Sequence, residues 1–170
     1  NVTKADNKTK NIANIKFKSN LILPKLDNAK TISIRMQGGA MGNLSKANLD
    51  GVEKDFRTLA TEDKKLWAFN KDIGSYEYLL ATVKLNQVVI LDVWNDTRWP
   101  HSMHLHGNHF FVKSKEFKDN SDYILRDTYL MQAGEKAKLI FLADNPGKWL
   151  FHCHMLEHAA SGIVSYIDVV

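Results

Sequence analysis

At 170 residues, with 44% hydrophobic and 25% charged residues, the chain is sized for one domain with a core of its own, and no apolar run approaches the length of a bilayer-spanning helix. The net charge of +4 comes mostly from lysines scattered through the first 70 residues among Asn and Asp, without the clustering or interleaved aromatics of a nucleic-acid surface. A single cysteine excludes an internal disulfide.

The chain starts at Asn1 and shows no basic stretch followed by an apolar one, which predicts a processed chain or a fragment. Residues 1–14 are polar and lysine-rich, as in an exposed arm or interdomain linker; residues 15–170 read as the domain. Apolar and polar residues alternate from Ile15 to Ile22 and again from Thr31 to Met36, ahead of a Gly38-Gly39 turn, predicting two half-buried strands. Between Ala47 and Leu66, Val52, Phe56, Leu59 and Leu66 recur nearer to helical spacing, which predicts a short helical insertion. Leu80–Trp94, Arg126–Met131, Glu135–Leu142 and Ile163–Val170 read as further strands, punctuated by Asn95-Asp96, Ala133-Gly134 and Asn145-Pro146-Gly147. Many short strands with such turns argue for an all-β sandwich or small barrel. Asn1, Asn7, Asn43 and Asn95 open Asn-x-Ser/Thr triplets, too short a pattern to carry weight in an Asn-rich chain.

All seven histidines lie between His101 and His158, and the only cysteine sits among them. They fall into two groups, His101-Ser-Met-His104-Leu-His106-Gly107-Asn-His109 and His152-Cys153-His154-Met-Leu-Glu-His158. Trp149–His154 has the composition of a strand, along which side chains alternate between faces. Cys153 is therefore expected to face one way, and His152 and His154 the other. One peptide then serves two metal centres, about 10–13 Å apart along a covalent path of about nine bonds. A thiolate with two imidazoles and a weak axial group is the blue-copper donor set. Cys153 supplies the sulfur, and His101 and His158 are free to complete the trio. His104 and His106 share a face by the same alternation and can join His152 and His154, with Gly107 permitting close backbone approach.

These two segments resemble the HPxHxHG and HCHxxxH motifs of the multicopper oxidases, the family of laccases, cuprous oxidases and ferroxidases. In the first motif Pro100 precedes the histidine instead of following it. The resemblance runs from about Trp67 to Val170 and more loosely through Met36–Gly42. It implies a cupredoxin-like Greek-key β-barrel or sandwich with a short helical insertion, forming the carboxy-terminal domain of a laccase-like enzyme. It also implies that His101, Cys153 and His158 hold a type 1 copper, that His104 goes to a type 2 copper, and that His106, His152 and His154 go to a type 3 pair. His109 has no ligand role in the pattern. In the family's scheme a small reducing substrate gives up single electrons near His158. They pass through Cys153 to the trinuclear cluster, where O2 is reduced to water. A periplasmic or extracellular location is implied by the same resemblance.

Three departures matter. Where many members place an axial Met, ten residues after the cysteine, this chain has Ile163; lacking a donor pair, it predicts a raised potential. Ala159 and Ala160 stand where some members carry an acidic residue, leaving Glu157, read as a surface salt-bridge group, as the nearest carboxylate. The family's cluster uses eight histidines and this chain carries four of them, so the other two HxH pairs are expected from an amino-terminal cupredoxin domain of the same protein or a companion chain. Competing readings are an HxxEH zinc peptidase through His154-Met-Leu-Glu157-His158, a structural zinc site, and an electron-transfer or copper-storage cupredoxin that needs only His101, Cys153 and His158. Phe110, Phe111, Trp149 and Phe151 are expected to pack around the ligands, Met103 and Met155 to line the approach to Cys153, and Asp127 to orient a ligand imidazole or serve a turn.

Overall fold

The computed structural model describes residues 21–115 and 123–170. In chain order the elements are β1 (Lys30–Gly38), β2 (Lys46–Leu49), β3 (Val52–Asp55), α1 (Phe56–Thr61), β4 (Trp67–Phe69), β5 (Leu79–Val83), β6 (Gln87–Asn95), β7 (His101–Leu105), β8 (Phe110–Ser114), β9 (Ile124–Arg126), β10 (Thr128–Met131), β11 (Lys136–Ala143), β12 (Gly147–Cys153), α2 (Leu156–Ala160) and β13 (Val164–Val169). Among the described residues no helix is long and apolar enough to cross a membrane.

Two sheets hold the main core between them. One has the order β4-β1-β6-β11-β8-β9, the other β10-β7-β12-β13-β5, and β2-β3 forms a separate hairpin. From β4 to β12 the chain crosses repeatedly from sheet to sheet, so that β6 pairs with β11 and β7 with β12, the Greek-key arrangement expected. Alternation decides what fills the space between. On β6, Val89, Leu91 and Val93 point inward and lie opposite Phe141, Leu139 and Ala137 of β11. On the other sheet β7 contributes Met103 and Leu105, and β12 contributes Phe151 and Cys153. Phe69 stacks on Phe151 across the sandwich with ring centroids 6.1 Å apart.

A buried carboxylate ties the two sheets together at one edge. Glu135 accepts hydrogen bonds from the Ser114 hydroxyl of β8 (2.5 Å), the Tyr129 hydroxyl of β10 (2.6 Å) and the Gln132 N–H (2.7 Å). Asn95 closes the β6–β7 turn from inside, with no solvent exposure; it is therefore no glycosylation site despite its Asn-x-Thr triplet.

The segment expected as a strand at Leu80–Trp94 divides into β5 and β6, which lie in different sheets, and two further expectations are untested or revised. The strand expected at Ile15–Ile22 falls largely outside the described residues, as does the arm at 1–14, and Leu21 and Ile22 have no regular structure. The helical reading of Ala47–Leu66 holds only for α1; residues 46–55 form the β2–β3 hairpin. Its two-residue turn, Asp50-Gly51, has φ of 51° and 80°, a left-handed pair that Asp-Gly adopts readily and that matches the twist of paired strands. Asp55 then caps α1, accepting the Thr58 N–H at 3.1 Å. Leu59 and Ala47 bury together with Leu44, Ala68 and Ile73, with Phe56 packed against them, whereas Val52 and Leu66 of the near-helical set are exposed.

The faces of β11 can be tested. Leu139 is fully buried whereas Leu142 is 38% exposed on the opposite face. Leu139→Ala is expected to cost about 2–5 kcal/mol and Leu142→Ala less than about 1 kcal/mol in chemical denaturation. Equal losses would contradict this assignment of faces.

Candidate metal centres

Strand β12 lies between β13 and β7, and its register against β7 places Cys153 opposite Met103, His152 opposite His104 and Phe151 opposite Leu105. Paired residues share a face. His101, Met103 and Leu105 turn inward with Phe151 and Cys153, while His104 and His152 turn outward.

In the interior, His101 and Cys153 have no solvent exposure. One turn of helix after β12 folds His158 back toward them: its N–H bonds to the Met155 carbonyl at 3.0 Å, and Ile163 is tied at 3.0 Å to both the His158 carbonyl and the Cys153 N–H. One ligating atom from each of His101, Cys153 and His158 lies within 4.8 Å of the other two. His158 Nδ1 is 3.7 Å from Cys153 Sγ, and the two imidazole centroids are 4.7 Å apart. Trp67 covers both rings, edge-on to His101 at 4.7 Å and tilted to His158 at 4.9 Å. Its indole is seated against Gly39, where a Cβ would come within 2.2 Å of the ring.

The electrostatics of this pocket disfavour protonated imidazoles and keep the proton on the sulfur. Burial, reinforced by His158, lowers the His101 pKa to about 3, and burial lowers that of His158 as well despite nearby Glu157. Burial raises the Cys153 thiol, opposed by the backbone N–H groups of Met155 and Ser102. Two neutral imidazoles thus face a sulfur whose proton a metal would displace. The sharpest sign is His101 Nδ1, a buried nitrogen with no hydrogen-bond partner. An unsatisfied buried polar atom costs about 1–3 kcal/mol; a soft metal shared with the thiolate would satisfy it.

On the outer face of the same sheet, His104, His106, His152 and His154 converge. The His104 centroid is 4.7 Å from His106, 5.7 Å from His152 and 5.8 Å from His154. His106 Nε2 and His152 Nε2 approach to 3.0 Å. Backbone carbonyls orient two of the rings: His104 Nδ1–H donates to Asp127 O at 2.8 Å, and His152 Nδ1–H to Cys153 O at 2.9 Å, so that the Nε2 of His152 is the atom that meets His106. The pKa values of His106 and His152 are lowered, first by burial and then by the neighbouring imidazoles, although the bond to Cys153 O opposes the shift at His152. His106 sits on a turn closed by Gly107, whose φ of +69° and contact with Trp149, where a Cβ would fall 2.3 Å from the indole, exclude a larger residue. His106 and His154 are exposed.

The two groups thus separate as the alternation predicts, and β12 ends at Cys153 with His154 just beyond it. His109 is exposed at the entry to β8, outside both groups. Met103 is fully buried opposite Cys153, so it packs beneath the sulfur and does not line an approach to it. Asp127 orients His104 through its main-chain carbonyl, its side chain being exposed. Glu157 is exposed and forms no ion pair among the described residues. His154 and His158 point to different centres, which removes the zinc-peptidase reading. Sequence spacing missed two neighbours of the interior site: Trp67, 34 residues before His101 and without a motif of its own, and Thr97, hidden in a triplet that resembles a glycosylation acceptor.

Comparison with known proteins agrees with this geometry. The multicopper oxidase family model matches residues 49–170. The iron multicopper oxidase fer1 of Mycosarcoma maydis is 36% identical over 97 residues, 49% of this chain and 15% of that protein. The multicopper oxidase mco of Staphylococcus haemolyticus is 29% identical over 153 residues, 85% of this chain and 33% of that protein. The crystal structure of a multicopper oxidase from Pseudomonas thermotolerans superposes with a TM-score of 0.59 at 26% identity, covering 89% of this chain and 32% of that one. The chain spans about a third or less of the length of these curated relatives. With most of its length matched by the family model and a strand that turns its cysteine and histidine to opposite faces, the chain belongs to the multicopper oxidase family, whose cofactor is copper.

Proposed function

We propose that this chain is the carboxy-terminal cupredoxin domain of a laccase-like multicopper oxidase. It takes single electrons from a small reducing substrate and delivers them to a trinuclear centre where O2 is reduced to water. His101, Cys153 and His158 hold the type 1 copper; His104 belongs to the type 2 copper, and His106, His152 and His154 to the type 3 pair. Two HxH pairs from an amino-terminal cupredoxin domain, in the same protein or a companion chain, complete the second centre. A place outside the cytoplasm, periplasmic or extracellular, goes with this reading.

The division of the ligands by the alternation of β12 carries the proposal. When bound, copper supplies a one-electron redox couple at the interior site. His158 is the half-buried member of the trio and presents the edge at which a reductant can approach. Trp67 and the core keep water from His101 and Cys153. The main chain from Cys153 to its neighbours His152 and His154 is a short covalent bridge between the two centres. Of the outer four imidazoles, His106 and His154 are exposed and can meet a facing domain. A pure electron-transfer cupredoxin would leave those four without a role.

Copper content and O2 uptake, measured with and without a domain carrying two HxH pairs, test the assignment. The chain alone is expected to bind copper with an intense thiolate-to-copper visible band and to consume no O2 catalytically; uptake should appear with the partner. Four-electron turnover by the chain alone would refute the shared cluster, and a copper-loaded chain without the band would refute the type 1 site. In Cys153→Ser the visible band is expected to vanish.

Ile163 is fully buried and hydrogen-bonded through its backbone to both Cys153 and His158, beside the trio but without a donor atom in its side chain. A thioether there should stabilise Cu(II) relative to Cu(I), so Ile163→Met is expected to lower the midpoint potential. Redox titration reads the effect, and an unchanged or higher value would count against an axial role for this position.

A further inference from the structure

The Thr97 hydroxyl sits where four groups compete for one proton and two lone pairs. It lies 2.7 Å from Asn95 Oδ1, 3.0 Å from Trp99 O, 3.1 Å from the Trp99 N–H and 3.2 Å from His101 Nε2. Asn95 cannot turn its amide around, because Nδ2 donates to Trp99 O and Gln132 O, both at 2.8 Å, and carbonyls only accept. Its Oδ1 is therefore aimed at Thr97, where it also accepts the Thr97 N–H at 3.2 Å. The hydroxyl proton goes to this nearest acceptor. Both lone pairs remain, one for the Trp99 N–H and one for an N–H on His101 Nε2, and the inventory of a hydroxyl is then full.

From this we infer that Thr97 is a positioning residue for the type 1 site: its buried hydroxyl, oriented by Asn95, holds His101 in the Nε2–H tautomer, so that the bare Nδ1 faces Cys153 and His158. The opposite tautomer would need the hydroxyl proton for Nε2 and would place a buried N–H at Nδ1, where the structure offers no partner. Thr97 and His101 are both buried, so water does not substitute for the hydroxyl. The inference rests on the assignment of His101 to copper and adds to it the group that selects which nitrogen is offered. A hydrogen-bonded outer partner fixes ring orientation and ligand basicity, and its loss costs about 10–100-fold in metal affinity.

Thr97→Val keeps the shape and loses the hydroxyl, while Thr97→Ser keeps the hydroxyl and loses the methyl. In the full-length protein, Cu(I) affinity of the type 1 site, read by competition with a chelator, is expected to fall about 10–100-fold in Thr97→Val and to return close to wild type in Thr97→Ser. Histidine-nitrogen NMR of the metal-free wild type should show His101 protonated at Nε2, with the tautomers mixed in Thr97→Val. Unchanged affinity in Thr97→Val, failure of Thr97→Ser to restore it, or a wild-type His101 protonated at Nδ1 each overturns the inference. The last needs no variant to fold. If instead His101→Ala leaves Cu(I) affinity untouched while wild-type His101 is protonated at Nε2, the copper assignment fails and the hydrogen bond to Thr97 stands.

Discussion

The registration of β12 against β7 is the constraint on which both centres depend. Because neighbouring side chains in a strand point to opposite faces, a slip of one residue would carry Cys153 to the outer surface and His152 into the core. The chain guards against that slip from both sides: six residue pairs join β12 to β13 and three join it to β7. Phe151, between Leu150 and His152, adds a large side chain that fits only inward, stacked on Phe69, and its carbonyl accepts the buried Ser165 hydroxyl at 3.0 Å. A core residue next to His152 and Cys153 thus sets the direction in which each points.

Burial then gives the two faces different chemistry from similar side chains. Inside, the sheet removes water from two imidazoles and a thiol, and the cost appears as a lowered His101, a raised Cys153 and an unpartnered nitrogen. That cost, about 1–3 kcal/mol for the lone nitrogen, is small beside the roughly 10 kcal/mol or more that a well-matched metal site can return. Outside, the same strands hold imidazoles by carbonyls from the sheet's own backbone, so orientation comes without enclosure.

Much of this was readable from residue order. The strand pattern placed β1, β11, β12 and β13, and the spacing of histidines around Cys153 separated the two histidine groups, because both rest on local periodicity. What could not be read depends on contacts distant in sequence. Trp67 reaches His101 and His158 only because β4 pairs with β1 and its backbone N–H meets the Ser161 carbonyl at 3.0 Å. Thr97 is close to His101 in the chain, yet its role requires Asn95, whose orientation is decided by a carbonyl at Gln132. The β2–β3 hairpin differs in kind: Asp50-Gly51 is a local turn signal, whereas the expectation of a helix there rested on apolar spacing alone. Leu59 and Ala47 obey one hydrophobic demand from two kinds of backbone.

The exposed outer imidazoles bear on the order in which metal is acquired. On the proposed assignment, everything that would hold the interior ion comes from one sheet, its following helical turn and the strap of Trp67, so that site could be filled by a domain standing alone. The four outer histidines lie on the outer face of that sheet and would cover one side of whatever they hold. On the proposed assignment, occupancy of the second centre therefore reports on assembly: ions there are retained only as firmly as the two halves stay closed, while the buried ion outlasts their separation.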